Sequence, residues 1–146
     1  MVDLLIIHGA NLNLLGAREK EIFGRSTLEE LDKKIRNLCD DLNIVVEILQ
    51  TNHEGVILDR IAQVENRPKV LIINPGAFCY SSYAIRECIA GVGIPTIEVQ
   101  LSSLLSRELN HGASIIAPVC AGQIYGFGAD SYILAVEAAK KMIKGS

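Results

Sequence analysis

At 146 residues, 49% of them hydrophobic and 21% charged, the chain has the size and apolarity of one globular domain, taken as residues 1–146, with a single core. Its net charge of −3, with no basic block and no tryptophan, leaves no electrostatic footprint for nucleic acid. No apolar run approaches the roughly 20 residues of a membrane span, and the opening MVDLLIIHG lacks the positive segment of a secretion signal, so a cytoplasmic protein is expected.

The first predicted strand, DLLIIH (3–8), is almost continuously apolar and ends in His8-Gly9-Ala10-Asn11. A charged stretch, LLGAREKEIFGRS (14–26), follows, with Gly16, Gly24 and one large aromatic, Phe23. Ser26 to Glu29 has the form of a capping box. It opens a helix, LEELDKKIRNLCDDL, that sets Leu28, Leu31, Ile35, Leu38 and Leu42 on one face. The second strand, NIVVEILQ (43–50), leads into Thr51-Asn52-His53-Glu54-Gly55 and a helix, GVILDRIAQVEN, carrying Ile57, Ile61 and Val64.

The third strand, KVLIIN (69–74), stops at the turn signal Asn74-Pro75-Gly76. The helix SYAIRECIAGV then carries Ala84, Ile85, Cys88 and Ile89. IPTIEVQL (94–101) is the fourth strand and SIIAPV (114–119) a weaker fifth. SYILAVEAAKKMI closes the chain as a helix, with lysines in its last turns where the helix dipole prefers them. Short apolar strands alternating with helices predict an α/β fold: a doubly wound, parallel five-stranded sheet with helices on both faces.

In such sheets ligands bind beyond the carboxyl ends of the strands. The strand ends bring Asn11, the His53–Glu54 pair, Asn74, and Gln100 to Ser103 toward that edge. Asn11 and Asn74 read equally well as turn residues and as ligand contacts. His53 and Glu54 suit a helix start better than acid–base work. Arg18 and Arg107 are cations able to take a carboxylate bidentately. Cys79 beside Tyr80, with His111 elsewhere, is a weak nucleophile-and-base pairing. Neither G-x-x-x-x-G-K-[ST] nor G-x-G-x-x-G occurs, so no nucleotide site is expected. Cys39, Cys79, Cys88 and Cys120 have neither the paired spacing of a zinc site nor the density of a disulfide scaffold. Reduced thiols and no metal are expected. A mean hydropathy of +0.29 hints that some surface is covered in a homo-oligomer.

Six segments in order resemble the type II 3-dehydroquinate dehydratase (type II dehydroquinase) family. They are HGANLNLLGAREKEIFG (8–24), QTNHEG (50–55), INPGAF (73–78), IPTIEVQLS (94–102), SRE (106–108) and IAPVCAGQIYGFGADSY (116–132). The resemblance implies a flavodoxin-like fold, a dodecamer of four trimers, and a cofactor-free lyase of the shikimate pathway that converts 3-dehydroquinate to 3-dehydroshikimate. In that reaction a loop tyrosine, ionised by nearby arginines, removes a C2 proton. The enolate is stabilised through a water held by an asparagine, and a histidine protonates the departing C1 hydroxyl.

Carried over by position, the resemblance assigns Asn11 to the enolate water, Arg18 to the loop, and Arg107 to the neighbourhood of the base. It assigns Asn74 to substrate, Leu101 and Ser102 to backbone contacts with the carboxylate, and Glu98 to support of the general acid. Glu87 stands where the family has an aspartate that reaches a neighbouring subunit's site. Four working positions depart. The loop tyrosine is Phe23, the general-acid histidine is Gln100, a substrate-binding histidine is Tyr80, and an arginine after SRE aligns with His111. A positioned acid or base is worth roughly 10²–10⁴-fold each. Dehydroquinate dehydration is therefore expected to be weak or absent, with the site turned to another small cyclic carboxylate. The alternative is a catalytically silent homologue that binds a small carboxylate or serves oligomer assembly.

Overall fold

The computed structural model describes residues 1–17, 26–103 and 113–145. Five parallel strands form one sheet in the order β2-β1-β3-β4-β5. They are β1 (Leu4–Ala10), β2 (Val46–Gln50), β3 (Val70–Gly76), β4 (Thr96–Gln100) and β5 (Gly122–Tyr125). The helices are α1 (Leu28–Asp41), α2 (Glu54–Ala62), α3 (Tyr83–Val92) and α4 (Asp130–Lys144). This is the predicted doubly wound α/β architecture, flavodoxin-like in its strand order.

Strand alternation divides the core into two layers. On one face Leu4, Ile6, Val70, Ile72, Ile97 and Val99 pack against Leu31, Ile35 and Cys39 of α1 and Tyr132, Ala135, Val136 and Ala139 of α4. On the other, Leu5, Ile7, Leu71 and Ile73 meet Ile57 and Ile61 of α2 and Ile85 and Ile89 of α3. Leu4 to Ile7 and Leu71 to Ile73 are fully buried, which is why those two strands read as unbroken apolar runs.

The structure corrects several sequence expectations. The fifth strand is Gly122–Tyr125, and Ala117–Val119 forms a short 3-10 helix instead. Pro118, at the start of that turn, has no N–H to give a ladder. Ser114 folds inward to Glu98 and Ile116 enters the core, so the segment 114–119 serves the core without pairing as a strand. Thr27, one residue later than predicted, caps α1: its side chain accepts from the Glu30 N–H. Helix α2 ends at Ala62, which leaves Val64 82% exposed rather than on the apolar face.

β2 lies on one side of β1 and β3 to β5 on the other, so strand order reverses between β1 and β3, where a crevice is expected. The two strands run close to their carboxyl ends, pairing His8 with Asn74 and Ala10 with Gly76. Gly76 has φ +61°, and a Cβ there would stand 2.4 Å from the Ala10 carbonyl oxygen. Gly76→Ala is accordingly expected to cost roughly 2–5 kcal/mol through left-handed strain and overpacking. Denaturant unfolding measures it, and a loss below 1 kcal/mol would show that the strand ends can separate freely.

Candidate active site

Asn11 follows β1 in the left-handed region at φ 68°, and it is exposed. Its backbone N–H donates to Asn52 Oδ1 at 2.8 Å, while Gln50 Nε2 donates to the same oxygen at 3.2 Å. The QTN segment after β2 therefore holds the turn after β1, which leaves the Asn11 carboxamide available at the strand edge. The turn reading and the site reading of Asn11 are compatible.

Asn74 is only 2% exposed. Its Oδ1 accepts the Gly76 N–H at 3.0 Å, which shapes the turn after β3. The Asn74 side chain lies near enough to the hydroxyl of Tyr132, from α4, to oppose the upward shift that burial imposes on that phenol. That hydroxyl lies 2.8 Å from His8 Nδ1, and His8 Nε2 lies 2.8 Å from Asp32 Oδ1 on α1. His8 and Tyr132 are both fully buried. Sequence reasoning treated His8 as a strand end and did not single out Tyr132; their contact joins residues 124 apart, which no local spacing reveals.

On the opposite face, β4 places Glu98 and Gln100 two residues apart. Glu98 is completely buried and accepts from three side chains. Gln100 Nε2 and Ser114 Oγ donate to its Oε2 at 3.2 and 2.7 Å, and the Tyr125 hydroxyl donates to its Oε1 at 2.6 Å. Burial, reinforced by the Glu98 carboxylate, pushes the Tyr125 phenol far above its ordinary range. Tyr125 thus keeps its proton and is no substitute for a phenolate base.

Leu101 is buried in the α1/α4 layer and Ser102 is buried beside it. The Gly126 and Gly128 N–H groups donate to the carbonyls of Gln100 and Leu101, strapping the end of β4. Tyr80 is half-buried in the 3-10 turn Ala77–Tyr80 after β3, and Glu87 is exposed on α3. The predicted site positions Arg18, Phe23, Arg107 and His111 lie outside the described residues. His53 begins α2, and Glu54 accepts the hydroxyl of Ser82, whose oxygen also caps α3 through the Ile85 N–H. Glu54 thus ties α2 to α3, in line with its structural reading.

Cys79 is fully buried. Burial raises the Cys88 thiol, pushes Cys39 up to about 11 and, with Glu98 nearby, Cys120 up to about 12. These three thiols stay protonated and do not act as nucleophiles at neutral pH. Among the described residues no three His, Cys, Asp or Glu side chains converge to hold a metal ion, and no helix is long and apolar enough to cross a membrane.

Residues 2–140 match the sequence profile of the family described as dehydroquinase class II. The chain belongs to the type II dehydroquinase family. A 3-dehydroquinate dehydratase of Caldicellulosiruptor bescii is 46% identical over 144 residues, spanning 98% of this chain and 99% of the relative. The crystal structure of a type II dehydroquinase from Butyrivibrio crossotus superposes with a TM-score of 0.91 at 44% identity, covering 94% of this chain and 97% of that one. That of a type II dehydroquinase from Propionibacterium acnes gives 0.89 at 30% identity, covering 97% of each chain. Within a type II dehydroquinase chain, then, Asn74 and Gln100 stand on two layers that flank one carboxyl edge.

Proposed function

We propose that this protein binds a small cyclic hydroxy-carboxylate at the carboxyl edge of its sheet and acts on it as a cofactor-free lyase. In this reading 3-dehydroquinate is dehydrated weakly or not at all, and the physiological ligand is another molecule of that class. Support comes chiefly from Gln100. By the family resemblance it aligns with the general acid; it is almost wholly buried and turns its amide N–H onto the Glu98 carboxylate. An amide has no proton to release to a departing hydroxyl at neutral pH, and Phe23 has no hydroxyl with which to remove one.

Each remaining position has a part in binding. Asn11 and Asn74 offer carboxamides to the ligand's oxygens. Leu101 and Ser102, through their backbone N–H groups, and Arg18 and Arg107, through guanidinium charge, hold the carboxylate. Tyr80 and His111 are the titratable groups left for a divergent proton transfer: removal of a proton α to a carbonyl and return of one to the leaving oxygen. Glu87, exposed on α3, is free to reach a neighbouring subunit in a homo-oligomer, with the dodecamer as the expected assembly. The locked Gln100–Glu98 pair equally favours a second reading, a site that binds without turnover.

Thermal shift against a panel of small cyclic carboxylates separates these. A ligand at about 100 times its dissociation constant stabilises the fold by about 2.7 kcal/mol. A shift accompanied by loss of water from the ligand supports the lyase, and a shift without turnover supports the silent binder. Absence of any shift across the panel would contradict both and favour an assembly role.

A further inference from the structure

Both backbone groups of Asn11 are engaged within the fold. Its N–H donates to Asn52 Oδ1 at 2.8 Å, and its carbonyl accepts the Leu14 N–H at 2.9 Å. Although Asn11 stands at the N-cap of the short turn Leu12–Leu14, its carboxamide makes no capping hydrogen bond there. Backbone groups also fix the polarity of the side chains around it. An N–H only donates, so the Asn52 corner that meets Asn11 is oxygen. A carbonyl only accepts, so the Gln50 corner that reaches the Gly9 oxygen at 3.4 Å is nitrogen. The same nitrogen donates to Asn52 Oδ1 at 3.2 Å, which closes a clasp of two side-chain amides around the turn after β1.

We propose that Asn52 and Gln50 are positioning residues that hold Asn11 in its left-handed conformation and so present its carboxamide to a ligand beyond the sheet edge. A residue with a side chain adopts φ 68° at a cost, and asparagine tolerates it better than most. The turn is secured on its two flanks by different means. Toward β3, backbone meets backbone: a Cβ on Gly9 would stand 2.5 Å from the Pro75 carbonyl oxygen. Toward β2, the clasp holds it, and the clasp is itself anchored. The Thr51 N–H donates to the His8 carbonyl at 3.0 Å, and the Thr51 hydroxyl accepts the His53 N–H at 3.0 Å. Asn52 meets Asn11 only at the backbone N–H, so its effect on a ligand passes through the conformation of Asn11.

This inference rests on the proposed role of Asn11 as a ligand contact, so its test has one arm that needs no ligand. In the full chain labelled with 15N, hydrogen exchange of the Asn11 backbone amide reports the clasp. Asn52→Ala removes the acceptor, and exchange at Asn11 is expected to accelerate by about tenfold while the amides of β1 and β3 keep their protection. Asn52→Asp keeps an acceptor oxygen and should retain the protection. Unchanged exchange at Asn11 in a folded Asn52→Ala chain would overturn the proposal. Equal acceleration throughout β1 would also overturn it, since the clasp would then support the strand in general. If Asn52→Ala does not fold, Gln50→Met, which keeps the length and removes the second donor, decides by the same two criteria.

The second arm is a double-mutant cycle on 3-dehydroquinate affinity. Asn11→Gly removes the carboxamide and leaves a residue that adopts φ 68° without strain. Asn52→Ala should weaken binding about fivefold, because a smaller fraction of the chain presents the Asn11 carboxamide in the binding geometry. In the Asn11→Gly background the same substitution should change affinity by less than about twofold. Equal losses in both backgrounds would assign Asn52 a direct contact or a general structural role and overturn the proposal. Failure of the wild-type chain to bind 3-dehydroquinate counts against that ligand alone, and the exchange arm still decides whether the clasp holds Asn11.

Discussion

Phe23→Tyr combined with Gln100→His is expected to raise 3-dehydroquinate dehydration by roughly 10²- to 10⁴-fold or more over the wild-type chain. On the proposed reading, the two substitutions supply a phenol to remove the C2 proton and an imidazole to protonate the leaving hydroxyl. The surroundings favour the second change. Glu98 is already in place two residues earlier, fully buried, with an oxygen that now accepts the Gln100 amide at 3.2 Å. A histidine ring at position 100 would meet the same carboxylate, which fixes the tautomer and favours the imidazolium. Each single reversion should recover far less than its share, because an acid without its base, or the reverse, leaves one proton transfer uncatalysed. If the double variant gains nothing while the fold is retained, the proposal that positions 23 and 100 alone disable the reaction is contradicted.

Glu98→Ala is expected to be the most damaging polar substitution in the described residues, at roughly 3–5 kcal/mol. The carboxylate holds Gln100, Ser114 and Tyr125, and its loss strands three donors. Two of these anchors matter for the architecture. Ser114 pins the segment before β5, and Tyr125 is the last residue of that short edge strand. Unfolding should therefore loosen β5 first, visible as faster amide exchange in 122–125 than in β1 or β3. Tyr125 titration supplies an independent check. Losing the carboxylate removes two of the causes that raise its phenol, so its pKa should fall toward the ordinary value while remaining elevated by burial. A destabilisation below 1 kcal/mol would mean that water satisfies the three donors and that Glu98 is not the hub of this layer.

The legible and illegible parts of the sequence differ in a physical way. β1 and β3 are the inner strands of the sheet, covered by helices on both faces, so burial itself writes an unbroken apolar run. β5 is an edge strand of four residues, Gly122–Tyr125, and its glycine and glutamine carry no such run. The more apolar IIAPV segment beside it drew the strand assignment, although Pro118 makes it a poor ladder partner. The same contrast holds in the site. Asn74 and Glu98 follow from strand ends and from the family pattern. The Asp32–His8–Tyr132 chain is assembled from α1, β1 and α4 by folding alone. The nearest pair in that chain is 24 residues apart, so neither periodicity nor motif spacing could announce it.

Gln100 also shows how a departure from a family pattern becomes a structural statement. Read as sequence, it is a missing acid. In the fold, its amide is a satisfied donor to Glu98 in a buried layer with Ser114 and Tyr125. The position thus accommodates a neutral side chain, and burial with the Glu98 carboxylate holds the neighbouring phenol in its protonated form. On the proposed reading, such a layer serves binding and not proton exchange.

The central claim is that Phe23 and Gln100 disable the family's reaction in this chain. It is tested most directly by adding 3-dehydroquinate to the wild-type protein and following the ultraviolet absorbance of the conjugated enone product. Turnover slower than 1 s⁻¹ by about 10²-fold or more is the predicted result, since on the proposed reading neither Phe23 nor Gln100 can transfer a proton. A rate near 1 s⁻¹ or above, within the ordinary range for enzymes, would contradict it.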